Sequence, residues 1–488
     1  MKKKAGYFLL LIALLPLSCT RKVGLVNFGD YPHDIGKIIN VSCSVSGCHN
    51  AVSAPAAASL NLETWSAMFK GSSSGSPVIP YSSRFSSLCY FINTYSGLGA
   101  QNIPTMPLNA DVLSFDEVKK IKDWIDAGAP DRHGNVMWSE VNRKKLYAVN
   151  QGCDVVTVLD AETQLPIRYV NVGNKPEIES PHQVRVSPDG TFWYVIFTAN
   201  NVMQKFRCSD DSYVGDIPLS PYAAGQSSNP DDDAYDWNSF VISKDGKKAY
   251  CASLNKNGKL AALDLTNLKL LHYQAGFVYS HGVALNAAGD RVYVTAQQGN
   301  FITRIDTGFV FGTFEIPIEN GASVNYSSSL DAHDIILSPD GLSFWITCQK
   351  SNEVRVFHIA SGQVTAVVST GLFPQEIVYS NRHNAYYISC TNDTVSGAYG
   401  SVVKIDGNSF VPTKLYCGFQ PHGVAVDERS DLLYVLSRNL LTRGPLPHHT
   451  NQCGGRNGYV SFVELNTFRL LPKKYELSSD PYFIFAQP

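Results

Sequence analysis

Pro181-His182-Gln183-Val184-Arg185-Val186-Ser187-Pro188-Asp189-Gly190 and Ala332-His333-Asp334-Ile335-Ile336-Leu337-Ser338-Pro339-Asp340-Gly341 are two copies of one phrase. Looser copies begin at Trp237, Ser280, Pro374 and Pro421. Each opens a short strand, and the Asp-Gly pair or its substitute supplies the hairpin turn. A second strand follows, as in Arg291-Val292-Tyr293-Val294-Thr295. A third resembles Val155-Val156-Thr157-Val158-Leu159-Asp160 or Leu260-Ala261-Ala262-Leu263-Asp264, and a fourth leads to the next copy. Four strands recurring every 40–50 residues or so predict a β-propeller.

Six units start at 181, 237, 280, 332, 374 and 421. The stretch 145–173 supplies only the later three strands of another, and Asp480-Pro481-Tyr482-Phe483-Ile484-Phe485-Ala486 supplies the missing one. Pairing the two chain ends closes a ring of seven blades over 145–488 and removes its exposed edges. With Tyr293-Val294-Thr295 as its best local match, this region resembles the YVTN-type propellers of exported bacterial proteins. The resemblance implies a fold and says little about function.

Residues 30–130 have a helical texture. Ser114-Phe115-Asp116-Glu117 is a capping box, behind which Val118, Ile121, Trp124 and Ile125 share one helical face. Gly128 and Pro130 stop that helix. Shorter helices are expected at 63–70 and 85–93, and 131–144 reads as a linker.

The sharpest motif is Cys43-Ser44-Val45-Ser46-Gly47-Cys48-His49. A c-type haem needs two thiols for its vinyl groups and a His directly after the second to sit under the iron. Here four residues separate the thiols instead of two, a less common spacing that leaves His49 in the same relation to Cys48. A local disulfide beside an incidental His is the bland alternative. A second axial ligand is most often Met. Met106, in Ile103-Pro104-Thr105-Met106-Pro107, sits in a loop stiffened by prolines. Met68, between Trp65 and Phe69, reads as core, and His33 and His133 are substitute ligands. The order Cys-Cys-His, Pro-flanked Met, closing helix resembles the small c-type cytochrome domain. That resemblance implies one covalent haem c on Cys43 and Cys48, with His49 proximal and Met106 distal to the iron. The expected fold class is therefore multidomain: a small all-α cytochrome c-like domain followed by an all-β propeller.

The chain opens with Lys2, Lys3 and Lys4, then an apolar run over 7–15 and Leu15-Pro16-Leu17-Ser18-Cys19. The run is too short to span a bilayer as a stable helix and reads as an export signal over residues 1–19. A small residue before Cys resembles the lipobox of bacterial lipoproteins, which implies lipidation at Cys19 and a place in the cell envelope, periplasmic or anchored to the outer membrane. Proline three residues before the cleavage point departs from the usual leucine. Export permits disulfides among the 11 cysteines, yet the eight outside Cys19, Cys43 and Cys48 show no CxxC pair and read mostly as buried thiols. A net charge of −2 offers no basic excess for a phosphate backbone, so nucleic acid is not an expected partner.

One column of the repeat reads His182, Asn238, His281, His333, Gln375, His422 and Tyr482. Each residue starts an innermost strand, so together they ring one mouth of the central channel. His182, His281, His333 and His422 are candidates for a metal or a second cofactor. The simpler reading is that they satisfy backbone groups and channel water. Asp231-Asp232-Asp233 and the trio His448, His449 and Cys453 are weaker cation candidates, best read as surface loops. The combined expectation is an electron-transfer protein of the envelope, with an iron closed on both axial sides and the propeller as docking platform for a redox partner. An oxidoreductase similar to the cytochrome-type nitrite reductases, with a second cofactor at the channel mouth, is the alternative. Seven blades rather than that family's eight count against it, and the ring lacks the full histidine set of the nitrous oxide reductase propeller. A surface binding protein is the third reading.

Overall fold

The computed structural model describes residues 28–222, 235–310, 312–395, 398–449 and 451–488. The export segment with Cys19, and Asp231-Asp232-Asp233, lie outside the described residues.

Seven four-stranded antiparallel sheets follow one another around a ring. Their innermost strands are Pro181–Val186, Trp237–Ile242, Ser280–Leu285, Ala332–Leu337, Pro374–Ser380, Pro421–Asp427 and Pro481–Ala486. Each packs on the next, and Pro481–Ala486 packs on Pro181–Val186, so the ring closes. Closure joins the chain ends within one blade: Pro481–Ala486 pairs antiparallel with Lys145–Asn150, with Phe485 opposite Tyr147. Central strands such as Lys145–Asn150 are buried on both faces. Outer strands such as Gln363–Ser369 alternate between exposed residues and half-buried or buried ones, as a solvent-facing edge requires. The hairpin turns rest on side chains. Ser187 donates to Asp189 at 2.5 Å, Ser243 to Asp245 at 2.6 Å and Ser338 to Asp340 at 2.5 Å. The glycine that follows takes the left-handed conformation the turn demands, with φ of 73° at Gly190 and at Gly341.

The expectation of a separate all-α domain is overturned. Before the first blade strand the described residues form four short α-helices: α1 (His33–Ser42), α2 (Trp65–Met68), α3 (Ser87–Ile92) and α4 (Phe115–Asp126). Two of these have only 4 and 6 residues, too few to bury an independent core. Instead their apolar faces share one hydrophobic cluster with the propeller. Tyr31, Ile39, Trp65, Phe69, Ile121 and Trp138 lie in it beside Tyr147, Leu165, Ile167, Tyr475 and Leu477. Trp138, in the segment expected to be a linker, is buried edge-on against Phe69. Ser76 donates to the Pro166 carbonyl at 2.6 Å, and Phe85 stacks on Tyr169 with ring centres 4.4 Å apart. At Gly71 a Cβ would lie 2.7 Å from the Leu165 side chain, so the helical segment sits as close to the first blade as backbone allows. The α4 capping box is present as expected, Ser114 and Glu117 bonding reciprocally. The sequence pattern predicts α4; what it does not show is that α4, packed on α1 and α3, shares its buried face with the propeller core.

A disulfide joins Cys153, beside the first blade, to Cys453 in the last blade's loop. Cys89, Cys208, Cys251, Cys348, Cys390 and Cys417 are buried free thiols. The Cys153–Cys453 bond spans 300 residues and fastens the same two blades that the terminal strand closes.

Candidate functional site

Two sites emerge, one in the helical segment and one in the propeller channel. In the first, α1 ends at Cys43, whose N–H donates to the Ile39 carbonyl at 2.8 Å. The chain then turns back, so that Cys48 N–H reaches the Val45 carbonyl and His49 N–H the Cys43 carbonyl, both at 3.0 Å. The four-residue insert thus forms a closed turn, and both thiols remain unpaired. Burial, with the neighbouring Cys48, raises the Cys43 thiol to about 12. The His49 ring stands by the carbonyls of Leu60 and Ala57, its basicity lowered by burial. Its Nδ1 is buried with no hydrogen bond, an open donor or acceptor that needs a partner. Val41, Val45 and Val52 around the turn, and Ile103 and Leu108 around Met106, are exposed apolar side chains. Two free thiols, an adjacent imidazole and uncovered apolar surface fit a covalently held porphyrin. Met106 is half-buried and packs on the shared cluster that contains Cys43, its N–H donating to the Phe91 carbonyl at 2.7 Å. The turn therefore brings Cys43, Cys48 and His49 together, while Met106 packs on the large shared core with no contact to them among the described residues. Met68 is fully buried as core, and His33 and His133 face solvent.

The second site is built by a device repeated in all seven blades. Two residues before each column position stands a non-glycine in the left-handed conformation: Ser180, Asp236, Tyr279, Asp331, Phe373, Gln420 and Asp480. At the column itself the strand register shifts by a bulge, as between Ala332 and Ile335 or between Pro374 and Ile377. A bulge breaks the strict in–out alternation and re-aims side chains. It brings Asp334 and Glu376, which follow column residues, into the same buried cluster as the histidines. A hydroxyl relay then locks blade to blade. Thr295 accepts from Gly282 N–H at 2.7 Å and donates to the His333 carbonyl at 2.9 Å. Thr347 accepts from Asp334 N–H at 2.9 Å and donates to the Gln375 carbonyl at 2.8 Å. Ser389 does the same between Glu376 and the His422 carbonyl. Gly423 is needed because a Cβ there would lie 2.6 Å from the Tyr482 carbonyl.

All four column histidines are buried. The His281 and His333 rings lie tilted at 30° with centroids 3.8 Å apart, and those of His422 and Tyr482 likewise at 3.7 Å. His182 lies 4.3 Å from Tyr482, which Arg438 also covers while gripping Asp480. Glu376 Oε1 stands 3.8 Å from His333 Nε2 and 3.9 Å from His422 Nδ1. Burial holds His281 down to about 4 and the other three well below the ordinary histidine range, so all four rings are neutral at pH 7. Burial and the adjoining Asp334 carboxyl push Glu376 up, with Arg185 as the facing cation. Three imidazole nitrogens, His182 Nε2, His281 Nδ1 and His333 Nε2, are buried without a hydrogen-bond partner. The four histidines are legible through the repeat; Glu376 and Asp334 are not, because ordinary strand alternation points them away from the channel. His449 is engaged otherwise, its Nδ1 3.2 Å from Glu476, and Cys453 is spent in the disulfide.

No protein-family model matches the chain, and no curated protein matches it. Solved structures share the fold. A functionally unknown protein from Desulfotomaculum acetoxidans is 12% identical and superposes with a TM-score of 0.50, covering 70% of this chain and 98% of its own. Hydrazine synthase from Kuenenia stuttgartiensis is 14% identical with a TM-score of 0.49, over 65% of this chain and 92% of the matched one. The seven four-stranded sheets make this chain a seven-bladed β-propeller protein, and the likeness to the Desulfotomaculum protein reaches no further than the fold.

Proposed function

We propose that this propeller protein carries one covalent haem c on Cys43, Cys48 and His49 and relays electrons in the bacterial cell envelope. The observation that carries the reading is the closed turn in which two free thiols stand beside an imidazole whose Nδ1 is buried and unpartnered. Haem c, when bound, supplies a one-electron iron couple. Cys43 and Cys48 would hold it by thioethers, His49 would ligate the iron from one side and Met106 from the other. The exposed valines at 41, 45 and 52 would be covered by the ring and keep water from it. Lipidation at Cys19 would tether the protein to a membrane, and a propeller face would receive the redox partner.

The test is direct. The full chain is produced by export in a bacterium that matures c-type cytochromes, then denatured and resolved on a gel stained for haem. One haem should remain on the chain, and Cys43→Ala/Cys48→Ala should remove it. A protein that emerges colourless from that host contradicts the proposal. In the loaded protein, Met106→Leu should leave attachment intact, lower the reduction potential and let carbon monoxide bind the reduced form. A wild-type protein that already binds carbon monoxide would exclude Met106 as ligand.

A further inference from the structure

We propose that the propeller channel holds one divalent transition-metal ion on His333, His422 and Glu376. This site is independent of the haem proposal and lies in a different part of the fold.

The geometry supports it on four counts. One donor atom from each of the three side chains lies within 4.8 Å of the other two, and all three residues are buried. Zinc-type bonds of about 2.0–2.2 Å place neighbouring donors roughly 3.3 Å apart, so the 3.8 Å spacing between Glu376 Oε1 and His333 Nε2 closes with a small side-chain shift. His333 Nε2 is buried with no hydrogen bond, an arrangement that costs free energy unless a ligand or water meets it. The Gln297 amide N–H faces both His333 Nδ1 at 3.4 Å and Gln349 Oε1 at 3.2 Å, so ligation through His333 Nε2 requires that amide to turn. The Tyr482 carbonyl lies 3.1 Å from His422 Nδ1 and can only accept, which fixes the Nδ1–H tautomer and leaves the lone pair on Nε2. A carbonyl behind a ligating imidazole is the outer partner that metal-bound histidines use.

Asp334 and Glu376 are two buried carboxyls beside the single guanidinium of Arg185, and an ion bound to Glu376 takes the place of its proton. The hydroxyl relay through Thr295, Thr347 and Ser389 holds the backbone at His333, Gln375 and His422, so the donors are fixed before any ion arrives. Two neutral imidazoles with one carboxylate form a borderline-soft set, suited to zinc, iron(II) or copper(II) and poorly suited to calcium or magnesium.

The experiment uses the full chain, stripped with a chelator and titrated with Zn2+ alone. One equivalent should bind and survive desalting. Glu376→Gln, His333→Ala and His422→Ala, each checked for folding by circular dichroism, should lose it, whereas His448→Ala should retain it. X-ray absorption at the zinc edge of the wild-type protein needs no variant and does not read iron, so the outcome is separate from that of the haem test. Two imidazoles and oxygen in the first shell are expected. A sulfur shell, which would put the ion on Cys43 and Cys48, overturns the proposal. So does a channel that takes up no zinc and is filled by water alone, or binding unchanged in Glu376→Gln.

Discussion

The ring of blades and the helical segment before it solve the same problem in opposite ways. Each blade contributes an interchangeable unit, and stability comes from repetition and closure: every innermost strand leans on two neighbours, and the terminal strand leaves no gap. The helical segment has no repeat and little regular structure. It is held by irregular contacts such as Trp65 Nε1 to the Ala129 carbonyl at 2.8 Å, and by burying its aromatic side chains against the first and last blades. Symmetry builds the channel with its ring of column residues. The irregular segment builds the turn that holds Cys43, Cys48 and His49. Chemistry that needs a unique loop sits where the fold does not repeat itself, on a scaffold whose rigidity comes from the part that does.

The comparison can be broken most severely by separating its halves. Deleting residues 28–140 should uncover Leu165, Ile167, Tyr475 and Leu477, and the remaining propeller should aggregate, read by size-exclusion chromatography. A soluble, monomeric ring would show that the segment is a separable domain after all. Trp138→Ala opens a cavity in the shared cluster and should cost about 3–5 kcal/mol in denaturant unfolding. Cys153→Ser removes the bond between first and last blades and should cost about 2–4 kcal/mol. If reducing agent leaves the wild-type unfolding midpoint unchanged, ring closure rests on the terminal strand alone. Smallest is Ser114→Ala, which removes the α4 cap and should cost about 1 kcal/mol without touching the blades.

Much of the ring was legible in the sequence because its signals are local and repeated: the Ser-x-Asp-Gly turns, the strand lengths, and the complement between 145–173 and the final strand. The histidine column could be read for the same reason. What escaped is what repetition does not encode. Glu376 enters the channel cluster through a bulge, and bulges leave no mark in an alternating pattern. The left-handed residue before each innermost strand escaped as well, since Ser180, Tyr279 and Phe373 are not residue types that announce that conformation. In the helical segment the capping box and Cys43–Cys48–His49 were visible as short motifs. The error there was in independence: amphipathic helices show that a face must be buried, not against what. The Cys153–Cys453 pairing was out of reach because partners 300 residues apart carry no shared spacing.

The most direct test of the account is peptide mapping of the exported protein. Trypsin should release residues 38–70 as one peptide, since Lys37 and Lys70 flank a stretch without Lys or Arg. The account predicts that this peptide carries one haem, bound through Cys43 and Cys48, and that no other peptide does. Recovery of the same peptide unmodified, with both thiols free or joined to each other, from cells that mature c-type cytochromes would contradict it.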